Sequence, residues 1–181
     1  MTAIATLNTL TAGTWAIDPT HTEVGFVARH LMVSKVRGSF TDVAGTVQVG
    51  DDITASVTRV VIQTASVSTG TADRDGHLRS ADFFDVEAFP EMTFVSTGFD
   101  GETLTGDLTI KDVTKPVTIA FEETGSAKDP FGNLRVGFEG ATSISRKDWG
   151  LTWNAALETG GVLVSDKIKL EFDVSAIRTT A

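Results

Sequence analysis

Residues 99–111 read Phe-Asp-Gly-Glu-Thr-Leu-Thr-Gly-Asp-Leu-Thr-Ile-Lys, and this stretch decides the fold. Asp100-Gly101, set between two alternating runs, is the strongest short-range hairpin signal in the chain. Beyond it Leu104, Leu108 and Ile110 fall on one face, while Thr103, Thr105, Asp107, Thr109 and Lys111 fall on the other. A period of two belongs to a strand with one buried face and one wet face. Strands ending near Phe99 and starting near Thr103 are therefore expected to pair antiparallel.

The same alternation recurs in both directions. Upstream, Val24, Phe26 and Ala28 oppose Glu23 and Arg29, and Val43, Val47 and Val49 oppose Asp42, Thr46 and Gln48. Downstream come Val117, Ile119 and Phe121, followed by Leu134, Val136, Phe138 and Ile144 against Arg135, Glu139, Ser143 and Ser145. Ile168, Leu170, Phe172 and Val174 close the series against Lys167, Lys169, Glu171 and Asp173. Gly50-Asp51-Asp52, Lys115-Pro116, the Asp129-Pro130-Phe131-Gly132-Asn133 run and Gly160-Gly161 read as breakers, none long enough for a domain linker. Only the region from Thr71 to Phe89 departs from the pattern. Rich in Asp and Ser, with Leu78, Phe83, Phe84, Val86 and Phe89, it reads as short helical turns capped by Thr71 and Ser80, a flap across an opening.

A sheet with one apolar face must bury it, and no long amphipathic helix is available as a second layer. The sheet must then cover itself, as a sandwich or a closed barrel, and short hairpins favour the up-and-down barrel. The 181 residues suit one domain. We assign residues 14–178 to it and 1–13 to a flexible leading segment. A barrel of about eight strands either fills its interior or holds one small ligand. Val24, Gly38, Gly45, Val47, Gly106 and Gly140 are small inward candidates, which argues for space left open. The alternative is a packed barrel with glycine at strand bends.

Composition removes several classes of function. The absence of cysteine rules out disulfides, thiolate metal sites and cysteine nucleophiles. A net charge of -9 repels phosphate backbones, so a nucleic-acid role is disfavoured. The 41% hydrophobic content, with eleven phenylalanines, supplies enough apolar surface to fold. No stretch approaches the roughly 18 apolar residues of a transmembrane helix. The first Lys or Arg is Arg29 and the opening is threonine-rich, unlike a secretory signal, so a cytoplasmic location is expected.

A set of motifs then follows in order. They are Trp15-Ala16-Ile17-Asp18-Pro19-Thr20-His21-Thr22, Val24-Gly25-Phe26 followed by His30, and Val36-Arg37-Gly38-Ser39-Phe40. Arg74-Asp75-Gly76-His77-Leu78-Arg79-Ser80-Ala81-Asp82-Phe83-Phe84-Asp85 and Phe89-Pro90-Glu91-Met92-Thr93-Phe94-Val95-Ser96 come next. The last are Gly106-Asp107-Leu108-Thr109-Ile110-Lys111, Val113-Thr114-Lys115-Pro116-Val117 and Ser145-Arg146-Lys147-Asp148-Trp149-Gly150. With these the chain resembles the YceI-like family of polyisoprenoid-binding, lipocalin-like proteins, from about Thr14 to Ile177. The resemblance implies an all-β fold, an extended eight-stranded antiparallel barrel whose apolar tunnel takes an isoprenoid tail, commonly of a quinone or polyprenyl phosphate. Asp112 departs from the family's usual glycine, so that turn is expected to be built differently. Many members also carry an export signal that is not evident here.

His21, His30 and His77 lie in separate segments without HxH or HExxH spacing, so no metal site is expected. Asp73-Arg74-Asp75-Gly76 begins like a calcium loop, but Leu78 and Phe84 stand where an EF-hand needs Gly and Glu. Signatures of common nucleophiles, dinucleotide turns and Walker loops are missing, so neither catalytic residues nor a cofactor are expected. Candidates for the tunnel wall are Val24, Phe26, Phe40, Val47, Phe94, Leu108, Ile110, Phe121, Phe138, Trp149 and Trp153, whose aromatics serve equally as core. Arg74, His77, Phe83, Phe84 and Arg146 are candidates for a head-group contact or gate, because a buried phosphate or carbonyl needs a donor. Salt bridges that pin the flap and last turns are the alternative role for Arg74, His77 and Arg146.

The expected partner is an isoprenoid or other long-chain lipid, bound for storage or transport, with no nucleic acid and no transmembrane segment. A homodimer is compatible with this reading. Two further readings stay open: an enzyme acting on a lipid or small apolar substrate in the barrel, and a non-catalytic interaction or stress-related module.

Overall fold

The computed structural model describes residues 10–180. Its strands are β1 (Gly13–Ile17), β2 (Glu23–His30), β3 (Ser34–Phe40), β4 (Val43–Val49), β5 (Val57–Gln63), β6 (Val67–Ser68), β7 (Glu91–Phe99), β8 (Thr103–Ile110), β9 (Val113–Lys128), β10 (Leu134–Ser145) and β11 (Lys167–Thr180). All join one antiparallel sheet. β11 closes it: its first half pairs with β2, Phe26 opposite Leu170, and its second half with β1, Ile17 opposite Ala176.

β1 and β2 are two parts of one stave, interrupted by a 3-10 turn at Pro19–His21. A bend at Thr41-Asp42 interrupts β3–β4, and a 3-10 turn at Thr64–Ser66 interrupts β5–β6. These three broken staves and the five unbroken strands β7–β11 make the expected eight-stranded barrel. The first interruption keeps its ladder bonds, since Asp18 N–H donates to the Ser175 carbonyl (2.8 Å) and Ser175 N–H donates to Thr22 Oγ1 (3.1 Å).

Local chemistry sets the hairpins. At Asp100-Gly101 the glycine takes φ 106, and Asp100 Oδ1 accepts the N–H groups of Glu102 and Thr103, which fixes Phe99 opposite Leu104. Lys111 and Asp112, the latter at the position where glycine was expected, both adopt positive φ in a two-residue turn between Ile110 and Val113. Asp tolerates that left-handed conformation better than most residues, which is how the turn forms without glycine. Leu31 and Met32, at the tip between β2 and β3, also have positive φ (55 and 56). For such side chains the left-handed region costs roughly 1–2 kcal/mol per residue.

Two local expectations are corrected. Lys115-Pro116 does not break the chain but lies inside β9. β9 pairs with β10 only from Ala120 onward, so the missing Pro116 N–H falls where one side has no ladder to lose. Of the two expected caps on the flap helix α1 (Ala72–Arg79), Thr71 makes no side-chain bond, and Ser80 acts at the C-terminus, its Oγ donating to the His77 carbonyl.

The expectation that small inward residues leave open space holds for Val24 and Val47, which border the cavity, and is corrected for three glycines. A Cβ at Gly38 would collide with the Phe26 ring, one at Gly106 with Phe94 and one at Gly140 with Phe121. These glycines are seats on which aromatic rings lie against the wall.

The flap segment buries Phe83 in the main core and sets Phe84 edge-on to Phe40 at 5.5 Å. A second cluster fills the opposite end, where fully buried Trp15 packs with Val49, Val136 and Ala176. Of the leading segment expected to be flexible, residues 1–9 lie outside the described residues. Next to them, Leu10 packs on the second cluster, the Thr11 carbonyl accepts Trp15 Nε1 and the Ala12 carbonyl accepts Arg178 Nη2.

Arg135 ties the first stave to the β9–β10 turn. It donates from Nη1 to Asp18 Oδ2 (2.7 Å) at the first interruption and from Nε to Asp129 Oδ2 (2.8 Å) in the β9–β10 turn. The bond from Arg135, helped by Thr20 and opposed by desolvation, holds Asp18 well below the usual carboxylate range. Desolvation pushes Asp129 up, but the bonds from Arg135 and Asn133 outweigh it and bring it down to about 2. Carboxylates depressed in the folded state add stability that is present above their unfolded pKa and lost as pH falls through the folded one. We therefore expect Arg135→Gln to lower the urea midpoint at pH 6, and the gap from the parent protein to narrow between about pH 4 and pH 2. A gap independent of pH over that window would show that Arg135 acts through packing alone.

Candidate functional site

The interior holds a cavity of about 270 Å3. It touches four successive inward residues of β11, Ile168, Leu170, Phe172 and Val174, so it follows about 20 Å of strand. That makes it a narrow channel rather than a round pocket. Leu10, Val47 and Phe138 line the end near the Trp15 cluster, while Ala28, Leu78, Phe84, Leu151 and Val164 line the end under the flap.

The alternation explains the wall. Each strand contributes every second residue, so Val60 and Ile62 of β5, Met92 and Phe94 of β7 and Leu104, Leu108 and Ile110 of β8 converge on one lumen. Thr22, Ser56, Thr58 and Arg146 are the polar side chains that reach it among the described residues. Thr22 Oγ1 and Ser56 Oγ are engaged with the Ser175 carbonyl and the Gly50 N–H.

Arg146 is 5% exposed and lies in the 3-10 turn after β10. Its Nε donates to the Ser165 carbonyl (2.9 Å) and its Nη1 to the carbonyls of Leu151 (2.6 Å) and Trp153 (2.9 Å). Nη2 reaches the Val164 carbonyl (3.4 Å) and faces Asp166 Oδ1 at 3.6 Å. Burial pulls this guanidinium down from its ordinary pKa, and the Asp166 carboxylate opposes the shift. With its donors spent on the 146–166 loop, Arg146 organises the barrel's cover.

Nine of the expected wall residues line the cavity: Val24, Phe26, Phe40, Val47, Phe94, Leu108, Ile110, Phe121 and Phe138. Trp149 and Trp153 lie elsewhere, because they sit in the loop after β10, outside the alternation. Trp149 is buried with Nε1 donating to the Leu108 carbonyl (2.9 Å), and half-buried Trp153 packs against His77 (4.6 Å) and Phe83 (5.5 Å). Among the expected head-group or gate residues, Phe83, Phe84 and Arg146 border the cavity, whereas Arg74 and His77 do not. Arg74 is exposed and braces the start of α1 by donating to Thr69 Oγ1 (2.7 Å) and the Thr69 carbonyl (2.8 Å). His77 Nε2 meets Asp82 Oδ2 at 2.9 Å.

Other wall residues, among them Leu104, Val117, Ile119, Ile168, Leu170, Phe172 and Val174, belong to the alternating strands and were legible in the pattern. Phe99 and Leu151 have no such signature, since a bulge re-aims the first and the second lies in a loop. Among the described residues no three His, Asp or Glu gather as a metal site, and no helix is long and apolar enough to cross a membrane.

Comparison with known proteins agrees with this architecture. A family model described as YceI-like domain matches residues 15–176. A UPF0312 protein of Staphylococcus aureus is 38% identical over 160 residues, covering 87% of this chain and 93% of the relative. Among solved structures, the Campylobacter jejuni YCEI protein superposes with a TM-score of 0.69 at 32% identity, over 84% of this chain and 90% of that one. A protein described as a polyisoprenoid binding domain from Saccharophagus degradans shares the fold with a TM-score of 0.72 at 18% identity, over 91% and 98% of the two chains.

The seating of Phe26 on Gly38 gives a direct test of how the wall is built. Gly38→Ala should destabilise the protein by about 1–3 kcal/mol, because the ring must leave a filled site. In a double-mutant cycle with Phe26→Leu, followed by urea unfolding, the two changes should couple by about 1 kcal/mol or more. Additive losses would mean that the ring and the glycine are independent.

Proposed function

The chain belongs to the YceI-like family, and from that premise we propose that it binds one long-chain isoprenoid or similar lipid in the barrel, to store it or carry it. The observation that carries this reading is the channel itself, elongated and apolar along its wall. An apolar tail entering it leaves water for a wall that offers dispersion contacts, at roughly 0.8 kcal/mol per buried CH2. At about 270 Å3 the space lies just under the roughly 300–1,000 Å3 of small-molecule sites. A longer tail is accommodated by rings lifting from the wall.

Binding without chemical conversion is the reading we favour over an enzyme. Catalysis needs polar groups converging on a reacting atom, and here Thr22, Ser56 and Arg146 are committed to the backbone of the barrel and its loops. Nor does Arg146 serve as the head-group donor in this proposal, since its N–H groups are occupied. The head group rests outside the apolar channel.

Native mass spectrometry of the purified chain should show a lipid adduct that organic extraction removes and that a polyprenol restores unaltered. A protein that carries no lipid and takes up no prenol would overturn the proposal, and a chemically changed prenol would replace it with the enzyme reading. Phe26→Asp should abolish uptake and lower stability by several kcal/mol or force the carboxyl to stay neutral.

A further inference from the structure

Leu31, Met32 and Val33 form the tip of the β2–β3 hairpin, and Met32 and Val33 are 64% and 79% exposed. Turns with positive φ at both central residues favour Asn-Gly, yet here they hold Leu and Met. Neither solubility nor turn geometry explains that choice. Strain of this kind persists where the surrounding structure holds it in place, and it concentrates at functional sites. The tip is fixed from one side: Leu31 N–H donates to the Leu163 carbonyl (2.9 Å), and His30 bridges to Val164. This brings exposed Val162 beside it, so four of the five large exposed apolar side chains among the described residues, Leu31, Met32, Val33 and Val162, share one patch.

Just below the tip, Arg29 and Lys35 stand directly opposite each other across the two strands, both exposed. Like charges in that position repel. Among the described residues no carboxylate pairs with either. In a chain of net charge -9 this local cationic pair beneath an apolar tip calls for an anionic partner with an apolar layer behind it. The cavity reaches Ala28, three residues before Leu31, and Val164, which bridges to His30.

We propose that the β2–β3 tip docks the protein on an anionic lipid bilayer, with Leu31, Met32 and Val33 entering the acyl boundary and Arg29 and Lys35 meeting the head groups. The inference rests on the lipid-binding reading above, because it names the place where the channel exchanges its ligand with a membrane. An apolar face of three residues with two basic residues gives shallow, reversible binding that salt weakens.

The test uses the full chain, vesicles of phosphatidylcholine with or without phosphatidylglycerol, and farnesol added from solution as an independent ligand. Flotation should recover the parent protein with the anionic vesicles at least about tenfold more than with neutral ones. Leu31→Asn with Met32→Gly should lose that recovery while raising the melting temperature and leaving farnesol affinity unchanged, so that failure to fold cannot explain the loss. Arg29→Gln with Lys35→Gln should lose the preference for anionic vesicles. If the parent protein takes up farnesol but ignores both vesicles, the docking inference falls and the lipid-binding reading stands. If flotation succeeds as described and no farnesol binds, the docking stands and the ligand reading falls. Concentration-dependent dimerisation that the tip variant abolishes, without vesicle binding, would assign the patch to a second copy of the chain and overturn the inference.

Discussion

The pairing of β11 with both β1 and β2 is the contact on which the rest of this structure depends. Each strand carries apolar residues on one face only, and without a second layer that face stays wet until the last strand finds the first. Closure removes the sheet edge and creates the interior in a single step. It also requires the first stave to follow a long final strand, and the chain manages this by breaking that stave. Asp18, Thr22 and Ser175 carry the hydrogen bonds across the break, and Arg135 clamps the joint from outside.

Closure alone does not leave a channel. An eight-stranded barrel is narrow enough for side chains to fill it, and this one contains several phenylalanines that point inward. Its solution is to pair a ring with a glycine on the neighbouring strand. Phe26 over Gly38, Phe94 over Gly106 and Phe121 over Gly140 spend aromatic area against the backbone instead of across the lumen. The apolar burial is kept, and the middle remains open.

The two ends are built by different means. Around Trp15 the end is continuous core, with Val49, Val136 and Ala176 packed on a ring that has no exposure. At the flap end it is assembled from separate pieces: α1 and the turns after it, and the 146–166 loop gathered onto the Arg146 guanidinium by four backbone carbonyls. Trp153, His77 and Phe83 join the pieces through edge-on and tilted ring contacts. An end built from parts that meet at side chains opens at lower cost than one built from strands.

The strands, the Asp100-Gly101 hairpin and the barrel were legible in the sequence because a strand's alternation is local: which residues share a face follows from the pleat alone. The same rule reached seven of the nine expected wall residues that line the cavity, while Phe40 and Phe94 enter that set as aromatics. Aromatic identity alone did not place Trp149 and Trp153, which lie in a loop with no pleat to aim them, and turn chemistry misplaced Pro116, which β9 tolerates because β10 joins it a few residues later. Reading Gly38, Gly106 and Gly140 as empty space failed for a related reason, since what fills a glycine's place is a ring from a neighbouring strand. Residue identity likewise made Arg74, His77 and Arg146 equal candidates. Only the folded chain separates them, because whether a guanidinium is free for a ligand depends on which carbonyls surround it, and those come from residues 5 to 19 positions away. The sequence by itself determined the faces of the strands and hence a closed apolar barrel, whereas the tertiary structure decided where the lumen stays open, because that depends on contacts between staves.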